Sequence, residues 1–133
     1  AATIIGTDIT GKGFLPTHRQ IYLAGVDGAS TSVSRDNPSR PTLISPGKHS
    51  LTIVACLPNS LTQFRMDGVV SMTATFDAGK IYLLESDTPS GNGYWGKVNV
   101  WIADRAGAVL TPKLAVKLYN PLTPPIVAIF APK

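Results

Sequence analysis

His49 and Cys56 are the two residues whose meeting would give this chain the most chemistry. A cysteine acts as a nucleophile through its thiolate, and a histidine within hydrogen-bond reach can generate one. Both fall in "ISPGKHSLTIVAC", residues 44–56, where they stand seven positions apart. Beyond Pro46 and Gly47 the stretch alternates: Leu51, Ile53 and Ala55 on one face, Thr52, Val54 and Cys56 on the other. That period of two predicts a strand, and an odd separation along a strand sends two side chains to opposite faces. Hydrolysis through Cys56 is therefore the weakest reading. Cys56 is expected to be buried and inert. Lys48 and His49 are expected to carry no chemistry, and alanine at either should shift stability by about 0.5 kcal/mol or less.

The remaining chemical candidates are as thin. "GTDITGKG", residues 6–13, has the spacing of a phosphate-binding loop up to its lysine. The motif then needs Ser or Thr for magnesium and the start of a helix. Gly13, Phe14, Leu15 and Pro16 follow instead, so a glycine-rich turn is expected. Metal binding needs clustered ligands. The chain offers His18, His49, Cys56 and a single glutamate, Glu85, with no pair at ligand spacing. Asp77 and Asp87 sit where aspartate commonly shapes turns. The residues thus point away from an enzyme, and to no catalytic residue, metal or cofactor. Tyr94 and Trp95 lie in "DTPSGNGYWG", residues 87–96. Exposed there they could anchor a partner, or they could fold back as a lid over a core. Trp101 is expected in the core.

The elements that would position these residues are short. Turn signals recur at close intervals between runs rich in β-branched residues, the mark of an all-β sandwich or barrel. Strands are expected over residues 21–26, 41–44, 51–56, 71–76, 80–86 and 97–104, and more weakly over 2–5. Pro46 pre-sets φ for a turn and Gly47 supplies positive φ. "SMTATFDAGKIYLLES", residues 71–86, reads as a hairpin around Asp77-Ala78-Gly79. Its return strand is apolar on both faces and so should lie inside a sheet. Residues 35–40 read as a loop.

The 133 residues suit one domain, and 44% of them are hydrophobic against 15% charged, which excludes disorder. No apolar run reaches the roughly 20 residues that span a bilayer. One cysteine permits no intrachain disulfide. Residues 1–104 hold eight basic and eight acidic side chains, so the net +4 resides in Arg105, Lys113, Lys117 and Lys133. Singly scattered basic residues argue against nucleic acid. After Asp104 five prolines fall between Pro112 and Pro132, around the apolar runs "LAVKLY" and "IVAIF". Such runs aggregate if left in water. They must complete the chain's own sheets or pair with another chain.

The ordered set "GVDGA" (25–29), "ISPGKHSLTI" (44–53), "FDAGKIYLLES" (76–86) and "KVNVWIAD" (97–104) resembles the small β-sandwich domains of bacterial envelope lipoproteins, including PEGA-type domains. The resemblance covers about residues 20–104. It implies a periplasmic or outer-membrane-associated protein with no catalytic residues to carry over, and it is compatible with a lipid-anchored cysteine before Ala1. The expectation is thus a single antiparallel β-sandwich of about 7–9 strands over residues 1–104. An extended, proline-rich C-terminal arm over residues 105–133 would pack on the sandwich or on a partner. The function expected is that of a non-enzymatic adaptor or assembly subunit. It would contact another envelope protein or a second copy through Tyr94, Trp95, Lys117, Tyr119, Ile126, Ile129 and Phe130. The alternative is a small-ligand or glycan-binding module built on the Tyr94–Trp95 loop.

Overall fold

The computed structural model describes residues 1–10, 18–57, 66–91 and 95–119, and every structural statement below concerns these. They are all-β, with no helix and hence none long and apolar enough to cross a membrane. The strands are β1 (Ala2–Ile5), β2 (Thr7–Thr10), β3 (His18–Val26), β4 (Ala29–Ser30), β5 (Thr42–Ile44) and β6 (Gly47–Leu57). They continue with β7 (Met66–Phe76), β8 (Ile81–Ser86), β9 (Ser90–Gly91), β10 (Trp95–Asp104) and β11 (Leu114–Tyr119). Nine of them form one sheet in the order β2-β3-β6-β7-β11-β10-β8-β1-β5, while the two-residue strands β4 and β9 pair with β3 and β10. Neighbours are antiparallel except β1 and β8, which run parallel.

The sheet is open and curled. β2 ends one side of it and β1 stands next to the other end, yet only Gly6 separates them in sequence. A one-residue link cannot cross a flat nine-strand sheet, so the two halves face each other. Thr7 Oγ1 donates to the Leu84 carbonyl and Arg19 Nε to Ser86 Oγ (2.9 Å), which ties β2 and β3 to β8. A Cβ on Gly6 would lie 2.2 Å from the Pro38 carbonyl oxygen and 2.4 Å from that of Ile21, so only glycine fits this crossing.

The concave face is the core. Alternate residues fill it: Ala2 and Ile4, Ile21 and Leu23, Leu51, Ile53 and Ala55, Met72, Ala74 and Phe76, Tyr82 and Leu84, Val98, Val100 and Ile102, and Val116 and Leu118. Phe76 and Tyr82 meet edge to face at 4.9 Å between ring centroids. Complete burial of side chains of this size contributes about 1.5–3 kcal/mol each.

The expected strands are present, and "LAVKLY" is β11. Four expectations need correction. Residues 71–86 are not a hairpin: Gly79 has positive φ (+76°), but β7 pairs with β6 and β11, while β8 pairs with β1 and β10. Asp77-Ala78-Gly79 is instead a corner that carries the chain across the curl, held by Gly79 N–H donating to the Ala1 carbonyl at 3.0 Å. β8 is interior to the sheet, as its two apolar faces indicated. Thr7–Thr10, read as part of a turn, is a strand on the edge of β3. The loop at residues 87–96 contains β9 and the start of β10. Trp101 points outward, since Val100 and Ile102 take the core face, and its ring lies 4.4 Å from Lys113 Nζ.

Candidate functional site: the outer face of the sheet

β6 brings His49 and Cys56 to opposite faces. Its register with β7 runs unbroken from Gly47↔Phe76 to Leu57↔Met66, so the two-residue period holds along its length. Cys56 is 1% exposed. Burial, with the Asp67 carboxylate beside it, pushes the thiol far above its ordinary range. Neutral and enclosed, it is a poor nucleophile.

His49 does more than a strand-end histidine would. Its Nδ1–H donates to Asp27 Oδ2 at 2.6 Å and its Nε2–H to the Ser45 carbonyl at 2.7 Å. Asp27 in turn accepts the Ser50 backbone N–H through Oδ1 at 2.9 Å. Asp27 and Gly28 both have positive φ (+52° and +83°), as a two-residue hairpin turn between β3 and β4 requires. Gly47, φ +115°, ends the β5–β6 corner. His49 therefore fastens the tip of one turn to the mouth of another. The hydrogen bond to Asp27, helped by the Ser45 carbonyl, raises the imidazole pKa above its ordinary 6.5. The same bond, with that from Ser50, lowers the Asp27 carboxyl. His49 is thus a bridge between two turns and not an isolated strand-end side chain.

A second carboxylate is equally occupied. Asp87 accepts the backbone N–H of Asn99 (2.9 Å) and its side-chain amide (2.7 Å). Burial works to raise the Asp87 pKa, but these hydrogen bonds and the charge of Lys113 outweigh it and lower it. Asp8 and His18 pair at 2.5 Å diagonally between β2 and β3, near the end where Thr10 faces His18. Among the described residues no three His, Cys, Asp or Glu side chains converge as metal ligands would.

The outer face of β11 carries two of the sequence candidates. Lys117 and Tyr119 project from β11, opposite the side taken by Val116 and Leu118. Trp95 opens β10 and stands in register with Tyr119. Tyr94, Ile126, Ile129 and Phe130 fall outside the described residues. The structure adds residues that the sequence did not single out. Lys97 is directly opposite Lys117. Tyr119 pairs with Asp67 on β7, which brings Val69 to the level of Lys117, and Val69 is 62% exposed. Cross-strand pairing then runs Val69↔Val54↔Tyr22, so an apolar row on β7, β6 and β3 leads into the two lysines. Alternation alone could have placed Lys97 and Val69 outward. Their meeting depends on a register that no local signal sets. Comparison of the chain with protein-family models, curated proteins and solved structures found no match.

Proposed function

We propose that the chain is a non-enzymatic protein of the bacterial envelope, periplasmic or outer-membrane-associated. As a small β-sandwich it would serve as an adaptor or assembly subunit through protein–protein contacts. The observation that carries this reading is the outer face of β10 and β11, where Lys117, Tyr119 and Lys97 share one exposed surface with Val69. The rest of the chemistry is consumed internally: Cys56 is enclosed, and the carboxylates of Asp27 and Asp87 are spent on His49 and Asn99. The envelope assignment rests on the ordered motifs shared with lipoprotein β-sandwich domains. The proline-rich segment with Ile126, Ile129 and Phe130 would add contacts to another envelope protein or a second copy. Pro121, Pro124 and Pro125 favour reaching outward, since proline does not sit inside a central strand.

The test is capture from a bacterial envelope extract by the full chain and by a chain ending at Asn120, with sedimentation to score self-association. The full chain should retain a partner, or dimerise, and the shortened chain should lose that contact while staying folded. A shortened chain with full stability and all of its binding refutes the arm. A full chain that neither captures a partner nor self-associates refutes the adaptor.

A further inference from the structure

The lysines of this sheet are treated unequally. Lys80 pairs with Asp77 at 3.6 Å, and Lys113 stacks on Trp101. Lys97 and Lys117 are both exposed and face each other across β10 and β11. Directly opposed like charges destabilise an antiparallel pair, with Cβ atoms about 4.5–5.5 Å apart. The outer-face neighbours offer little relief. Asn99 and Ala115 form the next outward cross-strand pair, Ser90 of β9 stands opposite Lys97, and Val69 flanks Lys117. Two carboxylates lie diagonal to the pair: Asp67, diagonal to Lys117, is partly buried and turned toward Cys56, and Asp87, diagonal to Lys97, accepts the backbone and side-chain N–H groups of Asn99. Beside this uncompensated pair lie two exposed apolar groups, Val69 and Tyr119, the latter 37% exposed.

Resting on the adaptor reading, we propose that this surface receives an acidic, aromatic-containing segment of a partner protein, with carboxylates over Lys97 and Lys117 and apolar side chains on Val69 and Tyr119. β10 and β11 both lie inside the sheet, so the partner cannot add a strand here and must be held by its side chains. Charge complementarity therefore decides which segment binds, and the lysine pair gains what it lacks in the free chain. Two lysines are far fewer than the phosphate contacts that hold nucleic acid.

The test is an NMR titration of the full chain with a short capped peptide alternating Glu and Phe, beside the same peptide with Lys for Glu. Phosphatidylglycerol vesicles and a short DNA duplex serve as competing anions. The Glu peptide should give saturable shifts at Val69, Lys97, Lys117 and Tyr119, weakening as salt rises. Lys97→Glu and Lys117→Glu should each lower its affinity about tenfold. Each should also raise the Tm of the free chain by about 1–3 °C, because a like pair becomes an opposite pair. That gain separates loss of binding from loss of fold. The double variant should prefer the Lys peptide. Equal binding of both peptides, unchanged affinity in the single variants, or shifts from vesicles or duplex without the Glu peptide would overturn the proposal. If K117E still captures everything the full chain captures from an envelope extract, this inference falls and the adaptor reading stands. Charge-selective peptide binding with no captured partner supports the surface and tells against the adaptor.

Discussion

Replacing His49 by alanine should destabilise the protein, and the loss should shrink as pH rises. Both ring nitrogens have acceptors in place, Asp27 Oδ2 at 2.6 Å and the Ser45 carbonyl at 2.7 Å. Only the imidazolium can donate to both at once, so the folded state favours the protonated ring. A group whose folded pKa is raised stabilises fully below its unfolded value and loses that contribution as pH climbs through the folded value. For His49 the loss begins above about pH 6.5. The lowered carboxyl of Asp27 works in the opposite sense: its contribution is present above its unfolded value, about 3.8, and fades as acid reprotonates it. The tie is therefore strongest between roughly pH 4 and 6.5. A charge-assisted hydrogen bond contributes about 1.5–3 kcal/mol when sheltered. The His49 side chain is only 12% exposed, but Asp27 is 52% exposed, and solvent screening trims the bond between them. His49→Ala at about pH 5.5 should therefore lower Tm by a few degrees. At about pH 8.5 the difference should be smaller than at about pH 5.5. Asp27→Asn keeps a residue that tolerates positive φ, and it should flatten the pH dependence of the parent protein over the same range. Thermal melts of the three chains at both pH values decide the matter. A His49→Ala penalty that is absent at about pH 5.5, or that grows as pH rises, would refute the reasoning.

Gly68 is a second sensitive point. A Cβ there would stand 2.2 Å from the Lys117 carbonyl oxygen and 2.7 Å from Val116 Cγ1, so Gly68→Ala should prise β7 from β11 and cost about 2–3 kcal/mol in urea unfolding. A change below about 0.5 kcal/mol would mean the strands are free to separate. A Cβ at Gly47 would meet no atom within 4 Å, so the penalty of Gly47→Val comes chiefly from φ +115° and should be about 1–3 kcal/mol by the same measurement. Cys56 should react with a thiol reagent far more slowly in native than in denatured protein, and matching rates would show that it is reached. Deleting residues 105–133 removes β11 and with it Val116 and Leu118 from the core, so that chain should be insoluble, whereas one ending at Asn120 should give the parent far-UV spectrum.

Much of the sheet was legible because strand burial repeats every two residues and turns carry their own residue chemistry. Leu51, Ile53 and Ala55 against Thr52, Val54 and Cys56 needed only that period, as did Met72, Ala74 and Phe76. The same rule shows why Trp101 was misplaced. Val98, Val100 and Ile102 fix the phase of β10, and that phase sends Trp101 outward whatever its size. Hydrophobic bulk alone does not set the face of a strand residue, and the ring has its shelter under Lys113. Thr7–Thr10 has too little apolar character to declare itself; it is a strand because β3 offers it an edge.

Topology is the part that local signals could not decide. Asp77-Ala78-Gly79 has the same residues whether it closes a hairpin or turns a corner, since both require positive φ at Gly79. The outcome rests on distant competitors: β6 supplies a continuous partner for the whole of β7, while β1 and β10 enclose β8. The candidate site inherits this dependence. Alternation shows that Lys97 and Lys117 point outward, but their opposition follows only from the pairing of β10 with β11. That pairing is fixed from the other face. A slip of one residue would turn the apolar row of one strand to solvent, so Val98, Val100, Val116 and Leu118 hold the register wherever the lysines fall. Core packing thus sets two positive charges against each other at the surface, and nothing in the core can relieve their repulsion.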